Sequence, residues 1–427
     1  MPEPTVNVSE RGTRASERRD ASSPRERASM PITALERWWF ARRLRRILCL
    51  ADFEPVAKRL LPKPIFGYVA GAAETNASYD DNFRTFAEYG FVHRSLVDVS
   101  RRSTAARLMG REYAQPFGIA PMGVSALTGY RGDLRLANAA GRAGIPMVIS
   151  ASGLIAMETI AAANPDVWYQ AYMPPDAAGI RALVDRVARA GIQTLVVTVD
   201  SAVVPSRENN VRTGYRTPIR PDLKLAWQGV THPEWALLTF LRTIRRHGMP
   251  HFEHVGAERG VALVAKNVER DFSGREHLSW ADIARIREQW AGKLVLKGIL
   301  AVEDAVRAES LGVDGVILSN HGGRQLDGDV SPLRVLPAVV AAVSIDVMID
   351  SGFRRGSDVL KALALGAKFV FVGRPFNYAA AVAGEAGVDH AIAILESEVR
   401  RNMGMLGINA LTEMTPARLL PLPSGTR

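Results

Sequence analysis

The chain of 427 residues is 47% hydrophobic and 23% charged, enough to bury one large core or two ordinary ones. Its single cysteine, Cys49, excludes an intrachain disulfide framework and fits a reducing compartment, and no apolar run reaches the roughly 20 residues of a membrane-spanning helix. The formal net charge of +10 would suit nucleic acid or an anionic membrane, but the excess is local, since the first fifty residues hold eleven Arg against six acids.

Residues 1–30 are polar and rich in Arg, Ser and Pro, which predicts a disordered tail. They have no apolar stretch of the kind a secretory signal carries, and no nucleic-acid recognition module accompanies their Arg residues. Residues 31–50 contain "ITALERWWFARRLRRILCL", a basic and aromatic helical extension. Leu35, Trp38, Trp39, Leu44, Ile47 and Leu48 would either pack on the body or lie in a membrane interface, with Arg facing anionic lipid.

From residue 117 onward, short apolar runs alternate with Ala-rich stretches at helical spacing. The runs are "FGIAPMG", "PMVISAS", "VWYQAYM", "TLVVTVD", "KLVLKGI", "GVILSN", "VMIDSG" and "FVFVGR". Continuous apolar runs suit strands buried on both faces, hence parallel strands separated by helices. Eight such units predict an α/β fold, a (β/α)8 TIM barrel, rather than an open doubly wound sheet. The barrel domain is expected over 51–415, with a short C-terminal tail at 416–427. About ninety residues separate "TVD" from "KLVLKGI", so a long insertion, about 213–280, follows strand 4.

Active sites of such barrels lie at the C-terminal ends of the strands. Those ends carry Met122 and Gly123, Ser150, Gln170 and Tyr172, Thr198 and Asp200, Lys297, Ser319 and His321, Asp350, then Gly373 and Arg374. The strand interiors are almost wholly apolar, so this convergence of polar groups points to a site. After strands seven and eight, "DSGFRRGSD" and "GRP" offer glycine amides with Arg354 and Arg374, where barrels commonly hold a phosphate.

In chain order, "YQAY", "TVD", "SNHGGRQLD", "DSGFRRGSDVLKALALGA" and "GRP" resemble the FMN-dependent 2-hydroxy acid dehydrogenase and oxidase family. "RRHGMPHF", and Ser351 in place of a more usual Gly, are most similar to its (S)-mandelate and L-lactate dehydrogenase branch. No heme-binding domain precedes the barrel. The resemblance implies oxidation of an (S)-2-hydroxy acid to the 2-keto acid, with electrons leaving FMN for a quinone or another carrier. It also implies a homo-oligomer, a tetramer by family likeness.

Carried over position by position, the resemblance makes His321 the active-site base and Asp200 the carboxylate that orients it. Arg207, Arg324 and Tyr68 would bind the substrate carboxylate, and Tyr172 its 2-hydroxyl. Ala120, Pro121, Met122, Ser150, Gln170, Thr198 and Ser319 would hold the flavin ring and ribityl chain. Lys297 would sit at the ring's N1/O2 edge, and Asp350, Gly352, Arg354, Gly373 and Arg374 at the ribityl and phosphate end. No metal is implied. Met122 departs from the family's frequent Thr, and Gly123 beside it leaves room.

The chemistry asks for these residue types independently. A carboxylate next to the carbon being oxidised calls for guanidinium forks. Removing a proton near neutral pH calls for His, and a carboxylate behind it fixes the tautomer and raises the proton affinity. No side chain accepts two electrons, so a cofactor must. Two other readings stay open: an oxidase that uses dioxygen, and an FMN-dependent isomerase or non-catalytic flavin-binding barrel. The expected location is cytoplasmic, peripheral on the inner face of the cell membrane. There the N-terminal segment and the insertion ("HPEWALLTFLRTIRRHGMPHF", with Trp235, Leu237, Leu238, Phe240 and Leu241) would meet lipid.

Overall fold

Strands buried on both faces need cover from helices, and each of the eight apolar runs finds it. In the computed structural model they form β1 (Phe117–Ile119), β2 (Val148–Ser150), β3 (Trp168–Ala171), β4 (Thr194–Thr198), β5 (Lys293–Ile299), β6 (Gly315–Leu318), β7 (Asp346–Ile349) and β8 (Phe369–Val372). The structure describes residues 34–215, 223–254, 256, 258–264 and 275–423. The strands pair in parallel in the order β2-β3-β4-β5-β6-β7-β8-β1. A parallel bridge from Ile119 to Met147 brings β1 back to the start of β2, which closes a (β/α)8 TIM barrel.

Register decides which side chains share the rim. Along β4 and β5 the pairing runs from Thr194 opposite Lys293 to Thr198 opposite Lys297, so Thr198 and Lys297 end the two strands together. Leu318 lies opposite Ile349, which leaves Ser319 and Asp350 as the next residues out. Below the rim the barrel is filled by Val148, Trp168, Val196, Val295, Ile317, Met348, Phe369 and Phe371. A hairpin of Ala106–Leu108 and Arg111–Tyr113 adds Leu108 and Tyr113 to this inner core.

Three helices, Phe53–Leu60, Lys63–Ala70 and Ala77–Ala87, precede the barrel. Part of the expected C-terminal tail belongs to the body: Leu419–Pro421 pairs antiparallel with Tyr89–Phe91. The N-terminal extension is helical over Ala34–Leu44, and Arg43 anchors it with two bonds to the Glu234 carboxylate and one to the Val382 carbonyl. Within the insertion, Leu223–Thr231 is helical, and Pro233–His247 is a second helix with a wider turn at Ala236–Leu241. The tail expected at 1–30 lies outside the described residues.

The expected lipid-facing groups divide. Trp235 is buried and donates to the Leu127 carbonyl at 2.6 Å, with Phe240 stacked on it at 5.5 Å. Leu238 lines a crevice against Phe40 and Leu61. Ile47 is buried, whereas Leu237, Leu241, Trp38, Trp39 and Leu48 are exposed. A run of apolar residues on a helix next to a core cannot all face outward, because the 3.6-residue turn carries about half of them inward.

Candidate active site

All eight strand ends contribute to one cavity of about 1080 Å³, its open mouth included. Its wall includes Tyr68, Ala120, Pro121, Met122, Ser150, Gln170, Tyr172, Thr198, Arg207, Lys297, His321, Arg324, Asp350, Gly352, Arg354, Gly373 and Arg374. Phe371 forms part of the floor and continues down into the inner core, where it packs on Trp168 at 5.3 Å. Asp200 and Ser319, the remaining expected residues, stand behind this wall. The fully buried Ser319 hydroxyl oxygen accepts from Lys297 Nζ at 2.7 Å and from the His321 backbone N–H at 2.9 Å.

His321 sits at the first position of a left-handed turn, with φ of 57°, followed by Gly322 and Gly323. Those glycines admit two close contacts. A Cβ on Gly322 would lie 2.7 Å from Arg374 Nη1, and one on Gly323 would lie 2.6 Å from the Tyr79 backbone. The turn is thus clamped between Arg374 and the helix Ala77–Ala87.

The imidazole has one partner on each side. A carboxylate can only accept, so His321 Nδ1 donates to Asp200, at 3.0 and 3.1 Å from its two oxygens. Nε2 is then the basic nitrogen, and it lies 3.4 Å from the Tyr172 hydroxyl, inside the cavity. Burial pushes the His321 pKa below the usual 6.5. Asp200 pulls upward, but Lys297 and Arg207 add to the downward push. The expected rise in proton affinity is therefore present and outweighed, and the ring is neutral at neutral pH. For Asp200, burial works upward, yet His321 and Lys297 hold its carboxyl below the usual value.

Lys297 is buried against Asp350, 2.9 Å away. Burial alone would lower its pKa, but the Asp350 and Asp200 carboxylates raise it, so the ammonium is kept. Four guanidinium groups spend donors on backbone carbonyls, Arg354 Nη1 donating to that of Phe353 at 3.0 Å. Arg324 Nη1 donates to Val69 and Gly71, and Arg374 to Val69, Gly71 and Gly322. Arg207 Nε donates to the Arg324 carbonyl at 3.0 Å, and Arg324 lies over the Tyr68 ring at 5.2 Å. Burial first, then Arg324 and Arg354 nearby, bring Arg374 down to about 10, so it stays charged. The cavity is strongly cationic on this side.

Residues outside the expected set also line the cavity. Gln325 accepts from Arg207 Nη2 and donates to the Asp200 carbonyl and the Ser201 hydroxyl, which ties the Arg207 segment to the dyad. Its signal was its place in "SNHGGRQLD". Asn377 lies three residues past Arg374, one helical turn along the same face, and that spacing could have found it. Ser152 and the Tyr68 hydroxyl fill the room that Gly123 leaves; a Cβ there would lie 2.9 and 2.7 Å from them.

The wall fits the implied FMN. Gln170 Nε2, Thr198 Oγ1 and Arg354 Nη2 are buried without a hydrogen-bond partner among the described residues, although each belongs to a cavity-lining residue. Buried polar atoms are almost always satisfied, so three orphans around one chamber mark groups that a polar ligand completes. Their chemistry suits a ring with amide edges at one end and a phosphate at the other.

Comparison with known proteins gives the same assignment. The profile of the FMN-dependent dehydrogenases matches residues 57–421. (S)-Mandelate dehydrogenase of Pseudomonas putida is 37% identical over 372 residues, spanning 86% of this chain and 92% of that protein. An L-lactate dehydrogenase of Pseudomonas entomophila (strain L48) is 37% identical over 372 residues, spanning 85% and 96%. The crystal structure of monotopic membrane protein (S)-mandelate dehydrogenase superposes with a TM-score of 0.80 at 35% identity, over 88% of this chain and all of that one. A mandelate oxidase structure with (S)-2-phenylpropionate reaches 0.72 at 34% identity, over 87% and 98%.

Proposed function

Since the chain belongs to the FMN-dependent dehydrogenase family and uses FMN to oxidise a 2-hydroxy acid, we propose that His321 is the base of that reaction and that a membrane quinone or similar carrier receives the electrons. The observation that carries this reading is the His321–Asp200 pair, held at 3.0 Å with a neutral imidazole whose Nε2 faces the cavity.

Arg207, Arg324 and Tyr68 bind the substrate carboxylate. Arg324 is already oriented by the Val69 and Gly71 carbonyls, so little ordering remains to be done on binding. Tyr172 holds the 2-hydroxyl within reach of His321 Nε2, and that nitrogen takes up a proton as the alcohol becomes a ketone. Asp200 keeps the other nitrogen protonated and stabilises the imidazolium that results. FMN, bound by Gln170, Thr198, Lys297, Arg354 and their neighbours, supplies the acceptor for the two electrons. Lys297 keeps a positive charge in that wall. One carbon held between clamp and base presents its hydrogen in one direction, so a single enantiomer is the substrate, and the likeness to (S)-mandelate dehydrogenase makes it the (S) form.

Peripheral attachment to the inner face of the cell membrane is part of the same proposal. Leu223, Trp227 and Val230 form an exposed stripe on one face of the helix Leu223–Thr231, and Trp38 and Trp39 are about half exposed on Ala34–Leu44. Arg37, Arg42, Arg45 and Arg46, on and just past that N-terminal helix, are exposed as well. No helix among the described residues is long and apolar enough to cross a membrane.

Dioxygen as acceptor is the second reading, favoured by the likeness to mandelate oxidase. A panel of (S)- and (R)-2-hydroxy acids, assayed with an artificial dye and separately in air for peroxide, tests both. Dye reduction by one enantiomer with little peroxide supports the dehydrogenase. Rapid peroxide formation transfers the assignment to the oxidase, and inactivity across the panel removes the substrate class.

A further inference from the structure

Among the buried titratable groups that the mechanism does not use, His254 is one that bonds to a residue of the cavity wall, Ser150. It is 1% exposed, lies on the return leg of the insertion, and does not itself line the cavity. Its Nδ1 lies 2.9 Å from the Ser150 carbonyl, which can only accept, so Nδ1 carries the proton. Among the described residues Nε2 makes no hydrogen bond, although the Ile155 backbone lies near enough to the ring to favour its charged form. Burial first, opposed by the bond to Ser150, lowers its pKa to about 4, so the ring is neutral. A neutral buried His with an unmet acceptor costs stability, and a simple packing role would be filled better by an apolar residue.

The other contacts of this leg converge on the same place. The Glu253 N–H donates to the Gly153 carbonyl at 3.1 Å. Gly153 is glycine because a Cβ there would lie 2.9 Å from His254 Cε1 and 3.0 Å from the Ser150 carbonyl. Arg186, paired with Glu158, binds the Glu253 and Gly256 carbonyls from behind. The Tyr169 hydroxyl donates to the His254 carbonyl. The loop they grip follows β2 and carries Ser150 and Ser152 into the cavity wall. It is further tied to Gln170 through the Ala151 N–H and to Val124 through the Ser152 carbonyl.

We propose that His254 is a positioning residue for the cofactor: its Nδ1–H fixes the Ser150 carbonyl, and with it the β2 loop that walls the FMN chamber. The long insertion thus has a second function beside any contact with lipid, bracing the cofactor site from outside the barrel. This rests on FMN occupying the cavity, and on no particular substrate or acceptor.

Two substitutions at one position separate the hydrogen bond from the packing. His254→Asn can place an amide N–H where Nδ1 stands but fills less space. His254→Leu fills the space and donates nothing. Holoenzyme of each is diluted serially, and released FMN is read by its fluorescence, alongside the thermal unfolding of each protein. The Leu variant is expected to hold FMN about tenfold more weakly, through the loss of one buried hydrogen bond at the loop, with its melting temperature lowered only modestly. The Asn variant is expected to bind within about threefold of the wild type. If Leu retains the affinity and Asn loses it, packing is what matters and the proposal falls. If the Leu variant fails to fold, the Asn variant decides alone, a tenfold loss overturning the proposal and retention supporting it. Wild-type protein that binds no FMN would instead overturn the cofactor assignment itself.

Discussion

Arg and aromatic side chains crowd two regions of this molecule, the barrel mouth and the outer face of the N-terminal extension and insertion, to opposite effect. At the mouth Arg207, Arg324 and Arg374 are locked by backbone carbonyls, and Tyr68 lies beneath Arg324. On the outer face Trp38, Trp39 and Trp227 are more than half exposed, and Arg42 rests over Trp38 at 5.6 Å. Charge is effective at the mouth because the groups are partly buried and pre-oriented. Outside, each group interacts through solvent and is worth little alone. The mouth should therefore fail sharply on single substitutions, and the outer face gradually on several.

The largest single effect is expected at His321. His321→Gln should slow anaerobic flavin reduction by about 10²–10⁴-fold in stopped-flow, with FMN and substrate still bound. In the wild type the neutral ring is the active form, and its pKa is depressed, so activity should fall with decreasing pH only below 6.5. Asp200 raises that pKa, and Asp200→Asn should move the acid limb lower still while reducing the maximal rate. An acid limb above 6.5, or a Gln variant near wild type, would break the contrast at its strong end.

Much of the mouth was legible in the sequence because barrel geometry turns strand ends into a site. Once eight apolar runs were counted, the residue after each run was a candidate by position alone, which found Ser150, Gln170, Thr198, Lys297, Asp350 and Arg374. What stayed hidden depended on contacts between distant segments. Ser319 supports Lys297 and His321 from behind the wall, and Gly323 is required by the Tyr79 backbone. Nothing in "MPHFEH" announces that His254 reaches Ser150, 104 residues earlier. Likewise, Trp235 and Leu237 look alike in sequence, and only helical phase against the short helix at Leu127 buries one and exposes the other.

His254 joins the two regions and gives a test of intermediate size. Below pH 6.5 the unfolded chain binds a proton at this residue, while the folded chain refuses it until about pH 4. Unfolding is therefore favoured as pH falls through that window, by up to about 3 kcal/mol. Denaturant unfolding of holoenzyme at pH 7 and pH 4.5 should show His254→Asn losing less stability on acidification than the wild type. Equal losses would mean that the ring takes up its proton without leaving its buried site.

The outer face should yield the smallest effect per residue. Arg45 and Arg46 are exposed just past the helix Ala34–Leu44, a few residues along the chain from Leu48 and the two Trp residues. Near an anionic bilayer each is worth about 1 kcal/mol, so Arg45→Gln and Arg46→Gln should each weaken vesicle binding about fivefold. Trp227→Ala removes apolar burial instead. Its loss should persist in high salt, whereas the Arg losses should shrink as salt screens the wild type as well. Sedimentation with phosphatidylserine vesicles at low and high salt separates the two contributions, and dye-linked turnover without vesicles should stay unchanged in all three variants. If the wild type stays in the supernatant at low salt, the outer face is not a lipid-binding surface. The bracing of the β2 loop by His254 would then remain the insertion's proposed contribution to the enzyme.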